Sequence, residues 1–426
     1  MEDPSQTHTL SLSTHGDHFY RSLSSKEPSF SELALSRPRF STASPSKTQH
    51  HDPLPFLFKK QGARAYTMCI SSLLQKDGQI LSLAVSNGFV CTGTETKSIR
   101  VWKLPDFTIH GCFKAGCSGV RALSLSRGHV FAAYRDLKIR MWHESLENFT
   151  AGSRKGGPKF SSYFHKDHRT SSAKHLGAIT SLVANPSEDL LYSASIDKTV
   201  RVWRISDLRC IETIEAHKEA VNAIALGGDG TVFTGSDDTT VKVWRRSYSE
   251  KRRHCLAVSL FVKYSPVKVL ALGNRGTHLY AGCSDGYVHF WLRAFFSGQM
   301  QYGGVLRGHK HVVMCLACVG HFVVSGSADS TIRVWYRDRE NFHICLGVLE
   351  GHRGPIKCLV AVLDRNDDGD GDDDDDYDNN NDRASRGCKV CSGSVDGILK
   401  VWQVRRISHA CEEQVQEQAT QNYFEI

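Results

Sequence analysis

His175, Ser193 and Asp197 are the side chain types of acyl transfer: a histidine oriented by an aspartate can take the proton of a nearby serine and turn it into a nucleophile. The same set recurs as His217, Thr234 and Asp238, as His309, Ser325 and Asp329, and as His352, Ser392 and Asp396. A hydrolase needs such a set once, beside one oxyanion site. Here each copy is followed, six residues after its aspartate, by a tryptophan: Trp203, Trp244, Trp335 and Trp402. That repetition points to a hydrogen-bonded chain internal to a structural unit. No catalytic residue is assigned, and the chain reads as a non-enzyme.

Other chemistries fare no better. Two cysteine pairs have C-x-x-C spacing, Cys315 with Cys318 and Cys388 with Cys391. Both fall in strand-like segments, where positions three apart point to opposite faces, so neither pair suits one zinc ion. Reduced, buried thiols are the expectation. "GSRKGGPK" from Gly152 lacks the order of a phosphate-binding loop. The acidic run Asp364 to Asp382 resembles a calcium loop only in charge. Counted from Asp368, its sixth place is Asp373 rather than glycine and its twelfth is Asn379 rather than glutamate. No metal and no cofactor are expected.

The elements that would position these residues follow from the period. All seven tryptophans (Trp102, Trp142, Trp203, Trp244, Trp291, Trp335 and Trp402) close versions of one phrase, as in "SIDKTVRVW" and "GSADSTIRVW". Their intervals are 40, 61, 41, 47, 44 and 67 residues. Four intervals therefore fall close to one length, and two carry insertions, about 143–174 and about 364–387. Within each unit, short alternating apolar segments are divided by Gly, Asn, Asp and Ser turns, the signature of strands. Arg100, Arg140, Arg201, Lys242, His289, Arg333 and Lys400 stand two before each tryptophan, where an aliphatic stem can cover the indole while the charge reaches water.

These residues carry a resemblance. The pattern resembles the WD-repeat, which implies an all-β fold: a seven-bladed β-propeller of four-stranded antiparallel blades over residues 66–405. By that match His, Ser/Thr, Asp and Trp form a structural tetrad, complete in repeats three, four, six and seven. Repeat one offers only Lys76 and Asp77 near the expected histidine and Thr96 for the aspartate. Repeat two has Gly116, Cys117 and Ala132, and repeat five has Tyr264, Ser265 and Ala281. No tryptophan here is followed by aspartate. More narrowly, "CISSLLQKDGQILSLAVSNGFVCTGTETKSIRVW" and the two insertions are similar to plant JINGUBANG-like WD-repeat proteins, which implies a regulatory role in plant signalling or development.

A ring must close. After Trp402 only "QVRRISHACEEQ" follows, so "AYTMCISSLL", Ala65 to Leu74, is expected to supply the outer strand of the last blade. Residues 1–60, rich in Ser, Pro and His, read as a disordered arm, and 408–426 as a polar tail. No apolar run reaches the length of a membrane span. A monomeric protein of the cytoplasm, the nucleus or both is expected, with protein partners and no membrane.

The chain carries +8 overall and −10 in the acidic run, leaving a basic remainder. That body admits an RNA- or DNA-associated role as an alternative to a scaffold, and a ubiquitin-ligase substrate receptor is a second alternative. Partner-binding candidates are the residues flanking the tetrads on one end of the blades: Arg135, Lys218, Glu219, Asp237, Lys310, His311 and Arg353.

Overall fold

The computed structural model describes residues 65–406, apart from 75–77, 115–118, 144–162, 165–167, 248–252, 274–275, 295–296, 365–386 and positions 87, 105, 127, 172 and 339. The expected N-terminal arm, C-terminal tail and acidic run lie outside these residues, save Asp364. Strand β1 (Ala65–Leu74) opens the described chain. Blade one holds β2 (Ile80–Ser86), β3 (Phe89–Thr94), β4 (Ser98–Lys103) and β5 (Thr108–Lys114). Blade two holds β6 (Val120–Ser126), β7 (His129–Tyr134) and β8 (Ile139–His143). Two two-residue strands, β9 (Tyr163–Phe164) and β10 (Arg169–Thr170), follow in the insertion after Trp142.

Blade three comprises β11 (Ile179–Asn185), β12 (Leu190–Ser195), β13 (Thr199–Arg204) and β14 (Cys210–Glu215). Blade four comprises β15 (Val221–Leu226), β16 (Val232–Ser236), β17 (Thr240–Arg246) and β18 (His254–Phe261). Blade five comprises β19 (Val267–Gly273), β20 (His278–Cys283), β21 (Val288–Arg293) and β22 (Met300–Leu306). Blade six comprises β23 (Val313–Val319), β24 (Phe322–Ser327), β25 (Ile332–Arg337) and β26 (His343–Leu349). Blade seven is built from β27 (Ile356–Leu363), β28 (Gly387–Ser394), β29 (Ile398–Arg406) and β1. The fold is thus a seven-bladed propeller of antiparallel sheets.

Six sheets have four strands; the first has five, because β9 adds a short parallel pair to β5 (Cys112 opposite Tyr163). Blade two takes its fourth strand, β10, from the end of the same insertion. The insertion of about 143–174 thus lends two short strands to blades one and two. Two-residue pairings carry no alternation long enough to read in sequence.

The first strands of successive blades line the centre, each against the next, and β2 meets β27 to complete the circle. Second strands are covered on both faces by neighbouring blades. Residues of β12, β20, β24 and β28 are accordingly almost all buried, which is why "LLYSAS" and "FVVSGS" lack polar alternation. Outer strands face solvent on one side, and β14 alternates half-buried with exposed residues. Val202 and Trp203 sit on opposite faces of β13, both buried, because each face meets a neighbouring blade.

Gly393 marks how tightly the blades nest at the closure: a Cβ there would lie 2.5 Å from Ile80 Cγ2 of blade one. The equivalent Gly282 would meet Val313 Cγ1 of blade six at 2.6 Å. Small residues at this place let consecutive sheets approach.

β1 runs antiparallel to β29 from Ala65 opposite Arg406 to Leu74 opposite Ile398, with one bulge at Cys69/Ser71. Removing residues 65–74 would strip that ladder and leave β29 as an open edge. The variant is expected to melt at least about 10 °C below the full chain, since an effect of a few kcal/mol moves a midpoint by that order. An unchanged thermal midpoint would count against β1 as the closing strand.

Candidate functional site

In blade three the indole of Trp203 donates from Nε1 to Ser193 Oγ at 2.8 Å. Ser193 Oγ lies 2.7 Å from His175 Nε2, and His175 Nδ1 lies 2.8 Å from Asp197 Oδ2. A carboxylate only accepts, so Nδ1 carries the imidazole proton and Nε2 accepts from the serine hydroxyl. The relay therefore runs from indole to serine to histidine, while the histidine donates to aspartate. Blade four repeats it through Trp244, Thr234, His217 and Asp238 at 2.9, 2.7 and 3.0 Å. Blade six repeats it through Trp335, Ser325, His309 and Asp329 at 3.0, 2.8 and 3.1 Å. Blade seven uses Trp402, Ser392, His352 and Asp396 at 2.9, 2.8 and 2.8 Å.

Each histidine comes from the loop entering its blade, the hydroxyl from the second strand, the aspartate from the following turn and the tryptophan from the third strand. Four remote backbone segments are tied by fully partnered side chains, of which only the aspartate is charged. A serine already accepting from an indole and shielded from solvent is no nucleophile awaiting a substrate. Its geometry fits mechanical linkage.

Further residues extend each set. The aspartates accept the backbone N–H of Leu176, Lys218, Lys310 and Arg353 at 2.9, 3.1, 2.9 and 3.0 Å. Thr199, Thr240 and Thr331 donate to Oδ1 of Asp197, Asp238 and Asp329, each at 2.6 Å. Ser195, Ser236, Ser327 and Ser394 donate to the carbonyls of Gly177, Glu219, His311 and Gly354. Sequence reasoning passed over these threonines and serines, although Ser-x-Asp and Asp-x-Thr recur. Burial alone would raise Asp197, but the Thr199 hydroxyl, His175 and the Leu176 N–H together bring it down to about 2. The tetrad histidines go the other way: burial outweighs the attraction of each aspartate and lowers His175, His217, His309 and His352 below 6.5.

The other three blades differ. In blade one Trp102 donates to Thr92 Oγ1 at 3.2 Å, a hydroxyl the sequence places ten before the tryptophan, as in the complete repeats. Thr94, Thr96 and Ser98 form a hydroxyl chain where the aspartate would stand. Lys76, Asp77, Gly116 and Cys117 lie outside the described residues. In blade two Asp136 takes both terminal nitrogens of Arg140, at 3.1 and 2.6 Å, and the guanidinium sits over the Tyr134 ring. Arg140 is buried, which corrects the expectation that every cation before a tryptophan sends its charge to water. Lys242 likewise donates to the Ala216 carbonyl, while Lys400 lies 5.8 Å from the Trp402 ring centre. In blade five, Ser265 Oγ accepts the N–H of Asp285 at 3.1 Å, the bond that Ser195, Ser236, Ser327 and Ser394 make in the complete blades.

The seven flanking candidates all lie in the turns and loops at the tetrad end of the strands, and they divide by chemistry. Arg135 pairs with Glu95 at 3.5 Å and Glu219 with Lys198 at 3.6 Å. Asp237 accepts from Asn222 at 2.7 Å and from Lys268 of the next blade at 2.5 Å, so it stitches blade four to blade five. The exposed side chains of Lys218, Lys310, His311 and Arg353 have no hydrogen-bond or ion-pair partner among the described residues. The same end displays apolar groups that a search for charge overlooks. Leu176 is 85% exposed, Ile196 49% and Tyr264 94%.

A family model, "WD domain, G-beta repeat", matches residues 168–204, 208–245, 300–336 and 343–403, the four repeats in which the hydrogen-bonded set is complete. "Zinc finger CCCH domain-containing protein 17" of Oryza sativa subsp. japonica is 31% identical over 182 residues, 43% of this chain and 39% of that protein. "Putative E3 ubiquitin-protein ligase LIN-2" of Lotus japonicus is 28% identical over 274 residues, 54% of this chain and 16% of that protein. The chain thus spans less than half of either relative's length. The crystal structure of the WD40 β-propeller domain of Doa1 superposes with a TM-score of 0.57 over 79% of this chain and 97% of that one, at 16% identity. That likeness concerns the fold.

Replacing Ser193 by alanine would strand a buried indole N–H and a buried imidazole nitrogen. The expected loss is about 2–4 kcal/mol in urea unfolding, since each unpartnered group costs about 1–3 kcal/mol. A change under about 0.5 kcal/mol would refute a holding role for the relay.

The histidines add a pH dependence. Between blades five and six, His343 Nε2 lies 2.8 Å from Tyr280 Oη. Burial, with Arg337 and His278 nearby, lowers His343 to about 4. Where folded imidazoles are depressed, the unfolded chain binds more protons, so stability is complete above about pH 6.5 and falls below it, for His343 until about pH 4. The thermal midpoint should therefore drop between about pH 7.5 and pH 5. His343→Gln should flatten part of that slope, and an identical slope in the variant would remove His343 from the account.

Proposed function

From WD40 repeats closed into a seven-bladed ring, we propose that the protein is a non-catalytic scaffold or adaptor that docks protein partners on the tetrad end of the propeller. WD40 propellers typically bind proteins and are generally non-catalytic, and this ring has the rigid disc and rim of loops suited to that work. One observation carries the reading. On a single end of the blades, Lys218, Lys310 and Arg353, whose side chains have no partner among the described residues, share the surface with the exposed Leu176, Ile196 and Tyr264. Water-exposed aromatic and aliphatic groups beside uncompensated positive charge suit a partner segment that is apolar with acidic flanks.

The resemblance of "CISSLLQKDGQILSLAVSNGFVCTGTETKSIRVW" and the two insertions to plant JINGUBANG-like WD-repeat proteins supports a regulatory role for this scaffold in plant signalling or development. A monomeric propeller acting in the cytoplasm, the nucleus or both accords with that role, and among the described residues no helix is long and apolar enough to cross a membrane. The likeness to a protein named as a putative ubiquitin ligase favours a second reading, in which the docked partner is a ligase substrate.

Reversing charge together at Arg135, Lys310 and Arg353 to glutamate tests the surface. Affinity purification from plant cells should lose partners retained by the wild type, while the thermal midpoint moves by less than about 3 °C, as surface substitutions usually do. Retention of every partner would place the docking surface elsewhere. Loss of RNA rather than protein from the purified material would favour the nucleic-acid role.

A further inference from the structure

Blade five has lost the relay and gained another set of side chains in the same turn. The Sγ of Cys283, a carboxylate oxygen of Asp285 and a ring nitrogen of His289 all lie within 4.8 Å of one another. Cys283 ends β20, Asp285 occupies the turn and His289 lies on β21, so one tight hairpin brings all three together. We propose that these residues form a binding site for a zinc-class divalent ion, which ties the blade-five hairpin where the tetrad is missing.

The histidine is the strongest indication. Its Nε2 is buried with no hydrogen-bond partner among the described residues, and it faces Asp285 Oδ2 at 3.7 Å, beyond hydrogen-bonding distance. Buried imidazole nitrogens are seldom left so, and a missing ion is one of the few explanations. Its Nδ1 lies 3.0 Å from Tyr302 Oη, the outer contact that commonly orients a ligating imidazole. Asp285 spends Oδ1 on the Tyr287 N–H at 2.9 Å and keeps Oδ2 toward the histidine. In the complete blades the equivalent oxygen is saturated by a histidine and a backbone N–H.

The donor set selects the metal. Thiolate and imidazole are soft to borderline ligands suited to zinc, copper or cobalt rather than calcium or magnesium. Zinc bonds of about 2.0–2.3 Å in a tetrahedron need donors roughly 3.3–3.7 Å apart, so the trio, within 4.8 Å of one another, must draw in by at most about 1.5 Å. Asp285 is exposed, which leaves an entry path and a fourth position for water. Burial and the Asp285 charge both raise the Cys283 thiol above its ordinary value, so the ion must displace the thiol proton to solvent, one per ion bound.

The other blades supply mild variants. Serine occupies the Cys283 place in blades three, four, six and seven (Ser195, Ser236, Ser327, Ser394), and arginine occupies the His289 place in blades three and six (Arg201, Arg333). Cys283→Ser and His289→Arg should therefore fold as the parent does. The full chain, stripped with chelator, is titrated with cobalt(II), whose thiolate charge-transfer absorption in the near ultraviolet reports sulfur ligation. One equivalent should bind with that absorption, zinc should displace it, and zinc should raise the thermal midpoint.

Both variants should lose the absorption and at least tenfold in affinity, and zinc should no longer raise their midpoints. Cys69, Cys255 and Cys345 are exposed thiols able to bind cobalt adventitiously. Absorption that persists in Cys283→Ser would assign the ion to them and overturn the proposal, as would no absorption in the parent.

Discussion

Everything in this molecule hangs on a strand pairing across the whole chain: Ala65–Leu74 against Ile398–Arg406. A sheet blade has two edges, and an uncovered edge is an open row of hydrogen-bonding groups. Six blades take their strands from contiguous or nearly contiguous sequence, but the seventh lacks its outer strand unless the start of the repeat region returns to it. Gly393 abutting Ile80 shows that this closing blade nests on blade one as closely as any interior pair. The circle is then held both at its rim, by β1, and at its centre, by β2 against β27.

Within that circle the relays perform a local version of the same task. His175, Ser193, Asp197 and Trp203 join a loop, two strands and a turn, and the one charge among them, on Asp197, is met by hydrogen bonds from His175, Thr199 and the Leu176 N–H. Because the aspartate sits in a turn and the histidine in an entering loop, the relay of blades three, four, six and seven lies directly beneath the surface proposed for docking. Lys218, Lys310 and Arg353 are each one residue beyond a relay histidine, and their own N–H groups are clamped by a relay aspartate. A backbone fixed in this way presents a side chain with little ordering left to do on binding.

Sequence made much of this legible, for physical reasons. Tryptophan is rare and bulky, so seven of them at near-constant spacing expose the repeat at once. Exhaustion of strand-like sequence after Trp402 pointed back to Ala65 as the closing strand. The alternation in "TVRVW" was readable, and so was the match of histidine, hydroxyl and aspartate. What escaped had no periodic signature. β9 and β10 are two-residue pairings. Thr92 sits in a repeat whose aspartate and histidine places have both changed, so its hydroxyl looked incidental. Cys283, Asp285 and His289 occupy ordinary positions of the repeat phrase, and only their proximity across the hairpin sets them apart. The exposure of Leu176 and Tyr264 depends on how loops lie against neighbouring turns, which no alternation encodes.

The rim closure also dictates the order in which the protein can be made. β1 leaves the ribosome before any blade exists, yet its partner β29 is more than three hundred residues away. Until β29 has been synthesised, the ten-residue β1 lacks the strand it pairs with in the ring. Contacts of such sequence separation form late and slowly, because the intervening chain must first be brought to heel. The meeting of the two ends is therefore expected late in folding, and until then β1 is an open edge able to pair with foreign strands.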